Sequence, residues 1–382
     1  MAAPKSPERA TAALLFATVA VFSDLYVPQP LLPVLSMQFG VTPAAAGLLI
    51  SVVVLAIAVT SGLHGALSDR FGRKRVMVAA CALLSLPTLL CATAQTFWVL
   101  LAFRALQGAL VPGVSAVAVA WLGDEFPGAA LGRKVGLFIA ASVAGGLLGR
   151  VGSGLIAARL GWHAPFVVFG LLTLAGALAM ARELPSPPPH VLERVSPRDA
   201  LIHLANPRLA GAFLAGAAAF FGFIGVFTYL PYHLMAPPFG LGTSAVSSLY
   251  LAYVAGIFTS LLTEPFVKRW GERAVIAAGF LIALAGLAGT AAPSLPVVAI
   301  SLLVLCVGMF AVQSTAPAFV NRQAERAKGA AGALYVSFYY GGATLGAFLP
   351  GHALERWGWS GVLAACAAAF LAGLLADLLL CR

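Results

Sequence analysis

GRKVGLFIAASVAGGLLGRVGSGLIAARLGW, residues 132–162, returns later in the chain as GAAGALYVSFYYGGATLGAFLPGHALERWGW, residues 329–359. At a constant offset of 197, Gly132, Gly145, Gly149, Gly154, Arg159, Gly161 and Trp162 match Gly329, Gly342, Gly346, Gly351, Arg356, Gly358 and Trp359. Both stretches are apolar enough to cross a bilayer, and glycines at close helical spacing let helices approach backbone to backbone. Gly145, Gly149, Gly342 and Gly346 are therefore assigned to helix packing. The match predicts a chain built from two copies of one ancestral bundle.

Outward from this repeat, the apolar runs number twelve, over approximately 10–35, 44–67, 75–94, 97–123, 131–158, 162–181, 209–235, 242–267, 274–292, 295–320, 328–354 and 358–380. With 61% hydrophobic and 9% charged residues and a mean hydropathy of +0.96, the chain cannot make a water-soluble surface. The expected fold is an all-α membrane protein, twelve transmembrane helices in two pseudo-symmetric six-helix bundles. The one long polar stretch, ARELPSPPPHVLERVSPRDALIHLANPRL (181–209), divides the spans six and six. Expected domains are 1–181, a linker over 182–208 with a short surface helix around 197–205, and 209–382. The first run is too long for a cleaved signal peptide and contains Asp24 and Pro28. The five cysteines lie in or at apolar runs without metal-ligand spacing, so neither a disulfide framework nor a metal site is expected.

The formal charge of +10 invites a nucleic-acid partner, but its distribution excludes one. With the N-terminus inside, 19 of the 23 lysines and arginines fall on the cytoplasmic side. Only Arg159 and Arg356 fall outside, while Arg104 and Arg150 lie within spans. That asymmetry is the positive-inside rule with both termini cytoplasmic. The basic balance reports topology and contact with anionic lipid.

Ionisable groups inside spans are expensive, at about 2.5–3.5 kcal/mol each on insertion scales. Asp24, in FSDLYVPQPLLP (22–33), lies roughly 21 Å up span one. Arg104 and Arg150 lie roughly 10 and 12 Å below the outer face in spans four and five. All three share the outer half, so a pair or triad is geometrically allowed. A neighbouring guanidinium favours a carboxylate and desolvation favours the protonated acid, so a balance between them makes a proton switch. The alternatives are a static ion pair between spans one and four, and, for Arg150, substrate binding or snorkelling to the outer headgroups. Glu264, Asp377, His64 and His233 sit near span ends, where loop contacts suffice.

Aromatics cluster in AFFGFIGVFTYLPYH (219–233) and YVSFYY (335–340). Tyr229, Tyr232, Tyr250, Tyr253, Tyr335, Tyr339 and Tyr340, with Gln29 and Gln313, are candidates to line a cavity for a flat or amphipathic organic molecule. Enzyme chemistry is not expected: no nucleophile–base arrangement appears, and the glycine-rich runs follow no strand.

GALSDRFGRKR (65–75) resembles the signature between spans two and three of the major facilitator superfamily, Gly-x-x-x-Asp-Arg-x-Gly-Arg-Lys, at every defining position. The resemblance covers nearly the whole chain. It implies a cytoplasmic charge cluster of Gly65, Asp69, Arg70, Gly72, Arg73 and Lys74 that favours the outward-facing state. A weaker copy, EPFVKRWGER (264–273), has Lys268 where Asp69 stands and reads as degenerate. FRALQGALVPG (103–113) is similar to the Arg-x-x-Gln-Gly motif of proton-linked members through Arg104, Gln107 and Gly108. SDLYVPQP (23–30) resembles the first-span motif of twelve-span drug:proton antiporters of the bicyclomycin-resistance and sugar-efflux types through Asp24, Tyr26 and Pro28. ASVAGGLLGRVGSG (141–154) keeps glycines but lacks the Gly-Pro pair of the antiporter motif. SFYYGGATLG (337–346) resembles a bacterial subgroup of efflux permeases.

The resemblance implies a monomeric, proton-coupled exporter of small organic molecules or drugs in the bacterial cytoplasmic membrane, driven by the proton motive force without a cofactor. Asp24 and Arg104 would couple protons. Tyr26, Gln29, Gln107, Arg150, Tyr229, Tyr232, Tyr253, Gln313, Tyr335 and Tyr339 would contact substrate. A proton-coupled importer of an organic anion, with Arg104 and Arg150 binding its carboxylate, is the alternative. A membrane receptor or scaffold is a remote one, since so little of the chain lies outside the spans.

Overall fold

The computed structural model describes residues 6–126, 128–185, 202–324 and 327–381. Residues 186–201, with most of the expected linker and the start of its surface helix, lie outside the described residues. Among the described residues the secondary structure is helix and turn, with no strand. Eleven helices are long and apolar enough to cross a membrane: Pro7–Phe39, Pro43–Phe71, Arg73–Cys91, Phe97–Glu125, Ala130–Leu160, His163–Glu183, Pro207–Met235, Thr243–Trp270, Glu272–Gly289, Leu295–Gln323 and Lys328–Leu380. The last has 53 residues, about 80 Å of helix against a ~30 Å hydrocarbon core. Gly358, at φ 62 and ψ −153, interrupts it, so it carries two spans. The described residues therefore carry twelve spans. Its repeat mate Gly161, at φ 81 and ψ 167, separates spans five and six in the same way. A side chain would strain either turn.

Local signals set the starts. Pro7, Pro43 and Pro207 open their helices, where the missing N–H costs nothing. Thr96 Oγ1 caps span four by accepting from Val99 N at 3.4 Å, and Asn206 Oδ1 caps span seven by accepting from Arg208 N at 3.0 Å. Span one is broken near its end. Its helix stops at Tyr26, a 3₁₀ turn covers Gln29–Leu31, and a second helix runs Leu32–Phe39. Pro28, Pro30 and Pro33 cause this, because each removes a donor from the i→i−4 ladder.

Two compact units emerge among the described residues, one within Met1–Gly40 and Val52–Leu192, the other within Val41–Ser51 and Glu193–Arg382. In the first, span one packs on spans five and six, and span three on spans four and six. In the second, span seven packs on the helix carrying spans eleven and twelve, and span ten on spans eight and nine. Val41–Ser51, the opening turns of span two, belong to the second unit. There Ser51 Oγ donates to Thr344 O at 2.8 Å, and Glu355 Oε1 accepts from Ala44 N at 2.9 Å at the start of span two.

The glycine match has a direct physical cause. A Cβ on Gly145 would lie 2.5 Å from Val19 O, and one on Gly149 would lie 2.1 Å from Ser23 O. In the second unit the same addition at Gly342 meets Ala217 O at 2.0 Å, and at Gly346 meets Phe221 O at 2.2 Å. Span five thus sits on span one as span eleven sits on span seven, with backbones touching. Gly132 and Gly329 belong to the same sequence match, but among the described residues no atom lies within 4 Å of an added Cβ. Gly149→Ala should accordingly destabilise the protein by about 1–3 kcal/mol through overpacking. Gly132→Ala should leave it unchanged or slightly more stable, as thermal unfolding of the detergent-purified protein will show.

Candidate functional site

Pro28 has no N–H, so the carbonyl of Asp24, four residues earlier, loses its helical donor. Arg104, from span four, replaces it. Nη1 donates to Asp24 O at 3.3 Å and Nη2 to Leu25 O at 2.6 Å, while Nη1 also donates to Gln107 Oε1 at 2.7 Å. Gln107 lies one helical turn beyond Arg104, and this bond orients its amide. Its Nε2 then donates to Thr88 Oγ1 at 2.7 Å and to Asp24 Oδ1 at 3.3 Å. Thr88, from span three, also hydrogen-bonds Asp24 Oδ2 directly. The four side chains are at most 2% exposed. Cys91 adds a long thiol contact to Gln107 Oε1 at 3.7 Å.

Counting protons shows what this cluster can do. Thr88 Oγ1 carries one hydrogen and lies near two acceptors, Asp24 Oδ2 and, at 2.8 Å, Leu84 O. With Asp24 ionised, the hydroxyl donates to the carboxylate. With Asp24 protonated, the acid donates to Thr88 Oγ1, and the hydroxyl turns to Leu84 O. Gln107 Nε2 donates to the pair in both states. A buried carboxylate is thus fully hydrogen-bonded whether charged or neutral, which a proton-loading group requires.

Arg150 occupies a different face of span one. Its Nε donates to Gln29 Oε1 at 2.6 Å, Nη1 to Gly146 O at 2.8 Å, and its guanidinium carbon stands 3.5 Å from the centre of the Tyr26 ring. At 3% exposure, its head is packed inside the unit. The three residues from the expected triad therefore divide: Arg104 joins Asp24, and Arg150 joins Tyr26 and Gln29.

The aromatic candidates form a connected wall in the second unit. Tyr335 and Tyr339 of span eleven stack at 6.0 Å, and Tyr339 stacks on Phe220 of span seven at 3.8 Å. Phe223 follows Phe220 at 6.5 Å and meets Tyr253 of span eight at 4.9 Å and Phe310 of span ten at 5.8 Å. Gln313 hydrogen-bonds the Tyr339 hydroxyl. Gly216 faces Tyr335 and Gly256 faces Phe310, and a Cβ on either would clash with the opposing ring. Among the described residues the Tyr335 hydroxyl is buried without a hydrogen-bond partner. Tyr229 serves packing instead, its hydroxyl donating to Ala347 O at 2.6 Å, with Tyr232 6.2 Å away. Tyr250 repeats the device of Arg104: Pro231 strips Phe227 O of its donor, and Tyr250 Oη supplies one at 2.7 Å.

At the opposite end of the first unit, Gly72 turns the chain at φ 87 between spans two and three. Arg73 is buried, ion-paired with Asp124 at the end of span four, and 3.9 Å from Asp69. Lys74 Nζ donates to Leu184 O, the end of span six, at 2.5 Å. Arg70 stands over the Phe71 ring at 5.2 Å, and a Cβ added at Gly65 would meet nothing within 4 Å among the described residues. The copy that reads as degenerate in sequence is a structural counterpart. Gly271 has φ 79, Glu272 pairs with Arg322 at the end of span ten, and Arg273 reaches Leu378 O in span twelve at 3.4 Å. The polarity is reversed: cation then anion in the first unit, anion then cation in the second.

Asp124, Thr88 and Phe310 complete these clusters and were not named from the sequence, whereas Phe220 and Phe223 lie in the aromatic stretch 219–233. Among the described residues no group of three or more His, Cys, Asp or Glu is placed to hold a metal.

Known proteins share this plan. The Major Facilitator Superfamily profile matches residues 14–326 and 235–381. The inner membrane transport protein YnfM of Escherichia coli (strain K12) is 33% identical over 359 residues, 93% of this chain and 86% of YnfM. The MFS-type transporter YybF of Bacillus subtilis (strain 168) is 31% identical over 357 residues, 92% of this chain and 88% of YybF. Among solved structures, the nucleoside transporter NupG superposes with a TM-score of 0.80 at 15% identity, covering 97% of this chain and 99% of NupG.

Two outcomes test the geometry. Arg104→Lys cannot span two carbonyls and an amide, so it should destabilise the protein by about 1–3 kcal/mol per orphaned carbonyl, read by thermal unfolding. Glu272→Arg should weaken the reversed ion pair, and Glu272→Arg with Arg322→Glu should restore it, giving a coupling well above zero in a double-mutant cycle.

Proposed function

The chain belongs to the Major Facilitator Superfamily, a family of transporters rather than enzymes, and on that premise we propose that it is a proton-coupled exporter of small organic molecules. It is a multi-pass membrane protein whose substrates are small molecules by family. In this reading Asp24 carries the coupling proton, and the two units alternate access to a site between bilayer faces. The carrying observation is the Asp24 cluster, which offers hydrogen bonds to both protonation states of a buried acid.

Each step has a candidate part. Loading a proton neutralises Asp24 and turns the Thr88 hydroxyl toward Leu84 O. Gln107 touches both Asp24 and Arg104, so a change at the carboxylate reaches the bond that holds the break in span one. The helix can then re-bend where Pro28 has already weakened it. The aromatic wall of Phe220, Phe223, Tyr253, Phe310 and Tyr339 supports a planar or amphipathic substrate, which stacking would hold with little directional demand. The Tyr335 hydroxyl would give such a substrate one polar contact. The positive-inside asymmetry supports cytoplasmic termini in a bacterial inner membrane, and no part of the mechanism needs a second subunit or a cofactor beyond the proton motive force.

One observation favours import of an organic anion instead. Arg150 is a buried cation whose contacts include three neutral groups, the Gln29 amide, Gly146 O and the Tyr26 face. A substrate carboxylate would compensate it better than any of these.

In proteoliposomes carrying an imposed pH gradient, Asp24→Asn should abolish uphill movement of planar organic solutes while preserving folding and downhill exchange. An Asp24→Asn variant that still concentrates solute with the gradient would remove Asp24 from coupling. In cells, expression of the wild type should lower solute accumulation. A rise confined to carboxylates, lost on Arg150→Gln, would establish the import reading.

A further inference from the structure

Span twelve carries a carboxylate that the transport reading does not use. Asp377 is fully buried, and among the described residues neither Oδ1 nor Oδ2 has a hydrogen-bond partner. It lines a cavity of about 540 Å³ between the start of span nine and the ends of spans ten and twelve, with Glu272, Arg273, Phe319 and Trp270. Arg273 Nε is likewise buried without a partner, although Nη2 reaches Leu378 O at 3.4 Å. One cavity therefore holds a carboxylate and a guanidinium close enough to attract each other, and among the described residues each still has an open hydrogen-bonding position. A proton on Asp377 would remove its charge but create an O–H that itself needs an acceptor, and would leave Arg273 Nε as it is.

A second cavity, of about 480 Å³, lies along spans eight, nine and ten. Phe258, Leu262, Phe266, Ile282 and Val307 line it, and Trp270 borders both cavities. Trp270 is 55% exposed at the end of span eight, where an indole marks the level between hydrocarbon and headgroups. The polar cavity thus adjoins an apolar one at bilayer depth.

We propose that the paired cavities bind one phospholipid with a primary ammonium headgroup, its ammonium on Asp377, its phosphate on Arg273 and an acyl chain in the groove of spans eight to ten. The chemistry selects this class. Two empty carboxylate acceptors need N–H donors with positive charge, which a primary ammonium has and a trimethylammonium lacks. A phosphate oxygen accepts from the guanidinium Nε–H. A zwitterion adds no net charge to the cavity, and only an amphiphile fills both parts. Glu272 already has Arg322 as its partner, so Asp377 is the acceptor left for the ligand.

The test uses full-length protein in detergent, equilibrated with equal amounts of phosphatidylethanolamine and phosphatidylcholine of identical chains, with bound lipid counted by native mass spectrometry. The wild type should retain the ethanolamine lipid about 10-fold over the choline lipid, equivalent to about 1.4 kcal/mol. Asp377→Asn and Arg273→Gln should each cut this to about 2-fold or less, while the exposed Glu264→Gln should leave it unchanged. Equal retention of the two lipids by the wild type, or full selectivity in Arg273→Gln, would overturn the proposal. If Asp377→Asn does not fold, Arg273→Gln decides alone. Free O-phosphoethanolamine should not displace the lipid at equal concentration, and displacement would assign the site to a soluble ligand.

Discussion

A carbonyl without a donor organises the first unit. Pro28 removes the hydrogen bond that Asp24 O would accept within its own helix, and a buried carbonyl tolerates that poorly. Arg104 enters span one's backbone to answer it. An arginine inside an apolar bundle is itself costly, and it is accommodated here because two carbonyls and one amide oxygen receive its planar fork. That commitment turns Gln107, and Gln107 delivers its amide hydrogens to Asp24 and Thr88. The break in the helix and the environment of the carboxylate are consequently one structure. A change in the charge of Asp24 cannot be confined to a side chain.

The two units share a packing scheme and diverge in chemistry. Glycines put span five on span one and span eleven on span seven at backbone contact. On that common frame the first unit buries Asp24, Arg104, Gln107 and Arg150, whereas the second buries a run of phenylalanines and tyrosines. Even the repair of a proline defect follows this division, by a guanidinium on Asp24 O and by a phenol on Phe227 O. The loops after spans two and eight carry the same latch with opposite polarity, Arg73 with Asp124 and Glu272 with Arg322. An ion pair depends on complementarity and not on which helix bears which sign, so the latch survived a complete exchange of charge. Reading the second loop for the residues of the first made it look degenerate.

Depth carried much of the legible part of the site. The same rise per residue that put Asp24 and Arg104 together also puts Thr88 about 13 residues, roughly 20 Å, above the expected start of span three. Thr88 was therefore within reach of that arithmetic, and its neutral hydroxyl drew no notice beside three charges. Arg150 shows the limit of the method. It shares the depth of the other two, yet residues 24 and 26 of a helix point about 200° apart. Asp24 faces spans three and four, while Tyr26 turns to span five and meets Arg150. Tyr229 and Tyr253 were alike as candidates, and only packing separates the first, tied to Ala347 O, from the second, set in the aromatic wall.

The amino-acid sequence by itself determined twelve membrane-crossing segments, their division into two repeated bundles, the packing glycines and the few polar residues that an apolar bundle must accommodate. These follow from composition, length and spacing, because a bilayer penalises every exposed backbone or charged group and leaves the helix as the local solution. Tertiary structure alone decided which of those polar residues meet. It set Arg104 on backbone carbonyls, Arg150 on a tyrosine face, Arg73 on Asp124, and left Asp377 and Arg273 with open hydrogen-bonding positions in one cavity. Rotation about a helix axis is set by side chains distant in the chain, and a hydrogen-bond partner is chosen only once those helices have packed.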